Sequence, residues 1–303
     1  KMASLPSEQN QNPARWLVVA VPYVWLLLFF AAPFLIIFKI SLSDTAISMP
    51  PYFPVFEGFG SIGEFFSELD FENYVFLTED PLYYRAYLSS IRIALISTFL
   101  LLLIGYPMAL AMARSPATIR PLLVMLVILP FWTSFLIRVY AWIGILKPEG
   151  LLTVALQSIG FLAPDQQVNI FRTDYAVFIG IVYSYLPFMV LPLYAALEKL
   201  DGTLIEAAND LGCPPWKAFW KITLPLSLPG VIAGSLICFI PITGEFVIPD
   251  LLGGADTLMI GKTLWVEFFG NRDWPLASAV AVVLLLLLVV PIAIFQNQQK
   301  KVV

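Results

Sequence analysis

Histidine is absent from this 303-residue chain, cysteine occurs only twice, and charged side chains make up just 13% of it. Each scarcity removes a class of function. Without histidine, the commonest metal ligand and the usual base at neutral pH are missing. Cys213 and Cys238 do not form the clustered Cys/His set of a zinc site, nor a disulfide framework. The net charge of −4 and the sequence pI near 4.9 speak against a nucleic-acid partner.

Apolar residues dominate instead. They form 59% of the chain, and the mean hydropathy is +0.85, which places it in the membrane class. Six long apolar runs fall at about residues 16–40, 86–113, 120–146, 173–198, 225–249 and 275–295. Each is long enough to cross a hydrocarbon core of about 30 Å. In lipid the backbone must satisfy its own hydrogen bonds, so these runs are expected to be helices of an all-α integral membrane protein. The expected organisation is a tail at 1–15, a six-helix domain at 16–298 and a second tail at 299–303. The polar start, KMASLPSEQNQNPARW, leads into a full-length span and reads as a tail, not as a cleaved signal peptide.

Basic residues set the orientation. With the N-terminus in the cytoplasm, that side holds Lys1, Arg15, Arg114, Arg120, Lys199, Lys217, Lys221, Lys300 and Lys301. The other face holds Lys39, Arg85, Lys147, Arg172, Lys262 and Arg272. Both termini are therefore expected inside, the 41–85 loop outside, and a loop at 200–224 inside. The outer loop mixes prolines, aromatics and acids; it reads either as a solvated connector or as short surface helices that dock a partner.

The inner loop carries EAANDLGCPPWKAFWKITLP, Glu206 to Pro225, a polar interruption between apolar runs. Thr203 to Leu211 has helical spacing, with Leu204, Ala208 and Leu211 on one face. Gly212 suits a helix C-cap, and Pro214–Pro215 suit the first turn of a second short helix carrying Trp216, Lys217, Phe219 and Trp220. Leu224–Pro225 then returns the chain to the bilayer.

These residues resemble the signature of permease subunits of bacterial ABC importers: Glu-Ala-Ala, three residues, Gly, nine residues, Ile, one residue, Leu-Pro. Here the positions are Glu206-Ala207-Ala208, Gly212, Ile222 and Leu224-Pro225. The resemblance implies a type I importer permease fold and a coupling helix seated in a separate ATP-hydrolysing subunit. Glu206, Ala207, Ala208, Gly212, Trp216, Leu224 and Pro225 would make that contact. The segments at 128–146, 185–197, 244–254 and 259–279 are similar to the putrescine/spermidine branch of these permeases. The first permease subunit of a putrescine importer is most similar, with the spermidine-preferring counterpart close. The implied partners are a second homologous permease, two ATPase subunits, a periplasmic polyamine-binding protein and membrane lipid. The chain is then no enzyme and carries no cofactor of its own; ATP and Mg belong to the ATPase.

Gly261-Lys262-Thr263 has the tail of a phosphate-binding loop, but Asp256 stands where the motif requires its first glycine. Ionisable residues inside spans are candidates for function because lipid penalises them; Arg92, Arg138 and Glu245 are the three. Glu245 either pairs with an arginine or forms part of a cation path with Asp250, Glu267 and the aromatics Trp132, Tyr140, Tyr183, Tyr185 and Trp265, since an ammonium needs acidic or π partners once dehydrated. Ordinary packing is the plainer account of each aromatic taken singly. Pro241, Gly244 and Pro249 bracket Glu245 and are expected to form a gating bend. The rival readings are an amino-acid or sugar importer subunit, whose sugar form would lack an embedded carboxylate, and an ATP-independent secondary transporter, which predicts internal repeats or several midplane acids.

Overall fold

A computed structural model describes residues 14–55 and 68–299. The termini at 1–13 and 300–303 and the centre of the 41–85 loop lie outside the described residues, with the expectations that fall on them. The chain divides into two compact units, one of residues 1–76 with 272–282, the other of 77–271 with 283–303.

In the first unit, α1 (Ala14–Leu26) passes through a wide π turn, Leu27–Ala31, into α2 (Ala32–Ser41). Together they provide an apolar helix from Val19 to Ser41, long enough to span. Its side chains from Val19 to Leu28 are all exposed, as lipid contact or another subunit requires. Two-residue strands β1 (Asp44–Thr45) and β2 (Tyr52–Phe53) pair antiparallel, Asp44 opposite Phe53. Helix α3 (Glu72–Glu79) is tied back to the end of α2. The Asn73 amide donates to the carbonyls of Ser41 (3.1 Å) and Ser43 (2.8 Å), and the Tyr74 hydroxyl meets Ser41 Oγ at 2.6 Å. Burial pushes the Tyr74 phenol above its ordinary pKa.

In the second unit, α4 (Pro81–Arg114) starts at Asp80, whose carboxylate accepts from Leu82 N at 2.8 Å while Pro81 fills the first turn. The next apolar run is broken. Helix α5 (Arg120–Ile128) and a 3₁₀ turn, Leu129–Trp132, end at Thr133–Ser134, and α6 (Phe135–Leu146) leaves at 86°. Pro130 explains the tightened turn, because its missing N–H and fixed φ disrupt the helical ladder. Among the described residues, five helices are long and apolar enough to span, and six if the broken pair counts as one span. After α7 (Leu151–Ser158), the long α8 (Asp174–Glu198) is capped by Thr173. Next come α9 (Gly202–Asp210), α10 (Pro215–Ala218), a π turn at Phe219–Thr223 and α11 (Leu224–Thr243).

This corrects two sequence boundaries. The fifth span begins at Pro215, not near 225, because the wide π turn carries the helix through Leu224–Pro225. A proline ring clashes with the carbonyl four residues earlier, and a π turn opens that spacing; the same turn precedes Pro33 in the first helix. The fifth span also stops at Thr243, not near 249. Beyond it lie α12 (Val247–Leu252), α13 (Ile260–Trp265), a π turn at Val266–Asn271 and α14 (Trp274–Gln299).

Helices α4, α8 and α11 build the core of the second unit around Ile93, Leu101, Ile181, Met189, Leu193, Cys238 and Ile242, all fully buried or nearly so. Tyr106 of α4 and Ser227 of α11 join hydroxyls at 2.8 Å, and the Tyr106 ring stands edge-on to Phe219. In a double-mutant cycle, Tyr106→Phe and Ser227→Ala are expected to couple by about 0.6 kcal/mol, the usual size for a polar pair between membrane helices. Thermal unfolding in detergent checks this; strictly additive losses would show that the pair contributes nothing.

Candidate functional site

Two places stand apart from the apolar core: a carboxylate at the break after α11, and the α9–α10 loop.

The break is built locally. Helix α11 ends at Thr243, Gly244 follows, and Glu245 N donates to Ile242 O at 3.1 Å. Glu245 then turns its side chain onto the next helix. Its Oε1 accepts from Val247 N at 3.1 Å and Ile248 N at 3.5 Å, which starts α12, while its Oε2 accepts from the Tyr185 hydroxyl at 2.7 Å. The residue is only 8% exposed. Neither arginine considered as its partner reaches it. Arg92 pairs with Asp174 at 3.0 Å, and Asp174 also accepts from Thr257. Arg138 lies over the Phe131 and Phe135 rings at 5.2 and 5.7 Å, and its Nε and Nη1 have no hydrogen-bond partner among the described residues. Among the described residues every hydrogen-bond donor to Glu245 is neutral and no cation pairs with it. A carboxylate offers about four acceptor sites, of which three are taken.

The neighbourhood is aromatic. Tyr185 contacts Phe188 (ring centroids 6.0 Å apart), and Phe188 contacts Phe131 (5.1 Å), the ring beneath Arg138. On the other side Phe246 stacks on Trp265 at 4.6 Å and 10°, and Trp265 meets Phe269. Of the aromatics singled out in the sequence, Tyr185 touches the carboxylate and Trp265 stacks beside it. Tyr183 packs edge-on with Trp142 and lines an apolar cavity of about 510 Å³ between α4, α5 and α8. Trp132, 73% exposed, and Tyr140 lie outward on the broken span and make no hydrogen bond or ring contact with the Glu245 group among the described residues.

The other two acids are already engaged. Asp250 forms an ion pair with Lys262 at 3.5 Å. Glu267 is buried, accepting from Tyr83 Oη at 3.0 Å and Asn271 Nδ2 at 2.7 Å, so it ties the start of α4 to the last π turn. Of the bracket residues, Pro241 lies in the last turn of α11, Gly244 caps it, and Pro249 sits inside α12.

Residues missed in the sequence explain the decoy motif. A Cβ on Gly261 would stand 2.3 Å from Gly244 O and 2.7 Å from Glu245 O. Gly261 is therefore a close-approach residue that lets α13 pack on the carboxylate's own backbone, and Lys262 is the partner of Asp250. Phe131, Phe135 and Arg138 share one side of the third run, but the 86° bend that brings them together is not legible in spacing.

The α9–α10 loop is exposed over most of its length. Asp201 caps α9 by accepting from Thr203 N at 3.0 Å, which holds its carboxyl below the usual range. Gly212, at φ +74°, closes the helix with bonds from Cys213 N to Ala208 O and from Gly212 N to Asn209 O, the Schellman pattern that favours glycine there. Glu206, Ala207, Trp216, Trp220 and Pro225 are exposed, Leu211 is 88% exposed, and Ala208 and Leu224 are half-buried. The second short helix, α10, is the foot of the fifth span.

Residues 102–302 match the family described as binding-protein-dependent transport system inner membrane component. A Haemophilus influenzae protein named spermidine/putrescine transport system permease protein PotB is 39% identical over 289 residues, 95% of this chain and 95% of its own. The protein of the same name from Escherichia coli K12 is 45% identical over 213 residues, 70% of this chain and 76% of its own. A chain of a bacterial alginate ABC transporter, solved in complex with an alginate pentasaccharide-bound periplasmic protein, has a TM-score of 0.68 at 19% identity. That match covers 96% of each chain, a likeness of fold.

Gly261→Ala is expected to lower the melting temperature by several degrees, since the added methyl meets backbone carbonyls that no side-chain rotation relieves. Gly144→Ala, where a Cβ meets nothing within 4 Å, is the control. Equal melting of the two variants would refute the close approach.

Proposed function

The chain belongs to the binding-protein-dependent transport system inner membrane components, and from this premise we propose that it is a permease subunit of an ATP-driven polyamine importer with the type I permease fold. The observation that carries the cargo class is Glu245: a buried carboxylate whose hydrogen-bond partners are all neutral and whose surroundings are aromatic. An ammonium stripped of water is stabilised by such a carboxylate and by ring faces, and the methylene stem of a diamine suits aromatic walls. The names of the relatives, one of which matches 95% of this chain, support the same cargo. Asp250 and Trp265 extend the path outward, where an arriving ammonium competes with Lys262 for Asp250. Glu267 joins them as an outer acid only once its bonds to Tyr83 and Asn271 open. Tyr140, Tyr183 and Trp132 belong to the path only where the second permease subunit brings another wall to them.

The subunit has no bond to make or break. It works with that second permease, with two ATPase subunits that hold ATP and Mg, and with a periplasmic binding protein. It sits in the inner membrane with both termini cytoplasmic, so the α9–α10 loop faces the ATPase. Glu206, Trp216 and the exposed leucines are its contact surface, and Gly212 fixes the angle between the two short helices. The break after Thr243, framed by Pro241, Gly244 and Pro249, is the segment that bends as the path opens.

ATP-dependent uptake of labelled putrescine by the reconstituted complex tests this reading. Glu245→Gln keeps the shape and removes the charge. It is expected to cut uptake about tenfold or more while assembly and ATP hydrolysis persist, because a hydrogen bond to a charged group contributes about 1.5–3 kcal/mol. Glu206→Ala is expected to leave hydrolysis uncoupled from uptake. Normal import by both variants would refute the proposed mechanism.

A further inference from the structure

Two adjoining cavities of about 260 Å³ each lie where α4 ends against α9, and Arg114, Ile205 and Thr223 line both. The first is closed by Asn209, Pro215 and Phe219, the second by Arg120, Glu198 and Gly202.

Their polar groups are unequally satisfied. Arg120 pairs with Glu198 at 3.4 Å and donates its Nε to Ser115 O at 2.8 Å, so the one acid in the lining is already answered. Arg114, the last residue of α4, is exposed and makes no hydrogen bond or ion pair among the described residues. Thr223 is 2% exposed, and its Oγ1 is enclosed without a partner. It closes the π turn, and the bond to the carbonyl four residues back that a helical threonine often makes is not formed. A buried hydroxyl left unpaired is costly, and its hydrogen rotates to suit an acceptor brought beside it. One leftover guanidinium, one unpaired hydroxyl and the Asn209 amide therefore border the same space, with an excess of one positive charge.

We propose that these cavities bind the phosphate group of an anionic phospholipid. Arg114 supplies the charge-assisted bond, and Thr223 and Asn209 donate to further phosphate oxygens. The place fits a lipid: α4 leaves its apolar span at Arg114, and Leu110, Ala113 and Ile205 beside it offer an apolar wall for the glycerol and the first methylenes. A phosphate held there bridges α4 to α9 and the foot of α11, so the lipid seats the loop that the proposed function assigns to the ATPase. Which leaflet supplies it rests on the orientation in that reading; the site itself does not.

The test uses the full chain in its assembled complex, purified in detergent. It is titrated with phosphatidylglycerol and with a glucosyl diacylglycerol that has no phosphate, and retention is read by native mass spectrometry. Phosphatidylglycerol retained by the wild type, about tenfold more weakly by Arg114→Gln and several-fold more weakly by Thr223→Val, is the expected result. Thr223→Ser keeps a hydroxyl and is expected to match the wild type. Retention that persists in millimolar inorganic phosphate assigns the site to lipid; displacement assigns it to a soluble anion and overturns the lipid proposal. Equal binding of the phosphate-free lipid, or unchanged retention by Arg114→Gln, would overturn it as well. No uptake is measured, so the outcome is independent of the cargo.

Discussion

A carboxylate enclosed in an apolar protein must have its acceptor sites filled, and the bonds from Tyr185, Val247 and Ile248 to Glu245 meet most of that demand. All three are neutral donors. A basic partner would have satisfied Glu245 more strongly and left it inert toward a second cation; breaking a buried ion pair costs about 3–5 kcal/mol. Dipoles hold the side chain in place and, in the proposed path, leave it open to an ammonium. The helix break follows from the same bonds, because the carboxylate captures the N–H groups that open α12.

The surrounding elements are arranged to make that break possible. Gly261 allows α13 to lie against the carbonyls of Gly244 and Glu245. Trp265, one turn on, stacks over Phe246, so one helix both supports the break and supplies its aromatic cover. On the opposite side, Tyr185, Phe188 and Phe131 form a row that ends beneath Arg138. Charges of opposite sign thus stand at the two ends of one aromatic row. In the proposed path a cation is drawn to the Glu245 end and repelled from the other.

The spans were legible because each is a long apolar run, and α9 because the spacing of Leu204, Ala208 and Leu211 and the Gly212 cap mark it. What the sequence hid is the geometry set by proline and by contacts across the fold. Pro130 bends one run by 86°, and a π turn carries the fifth span through Pro225, near which its start was read. Glu245 was visible as an embedded acid, but not its partner, since Tyr185 lies sixty residues away. Asp250 and Glu267 read as acids of a cation path, and only the fold reveals Lys262, Tyr83 and Asn271 against them. Gly261 looked like part of a nucleotide loop because tight phosphate loops and tight helix contacts require the same missing side chain.

The chain's membership of the transport family frames the proposed function, and the Glu245 environment is the observation on which its cargo chemistry rests. The most direct test is a structure of the assembled complex trapped in mid-transport with putrescine bound. An ammonium nitrogen within about 3 Å of a Glu245 carboxylate oxygen, with the methylene stem against Tyr185 or the Phe246–Trp265 stack, is the expected result. Putrescine held elsewhere in the path, with the bonds to Glu245 unchanged, would make this carboxylate a helix-capping group and contradict the account.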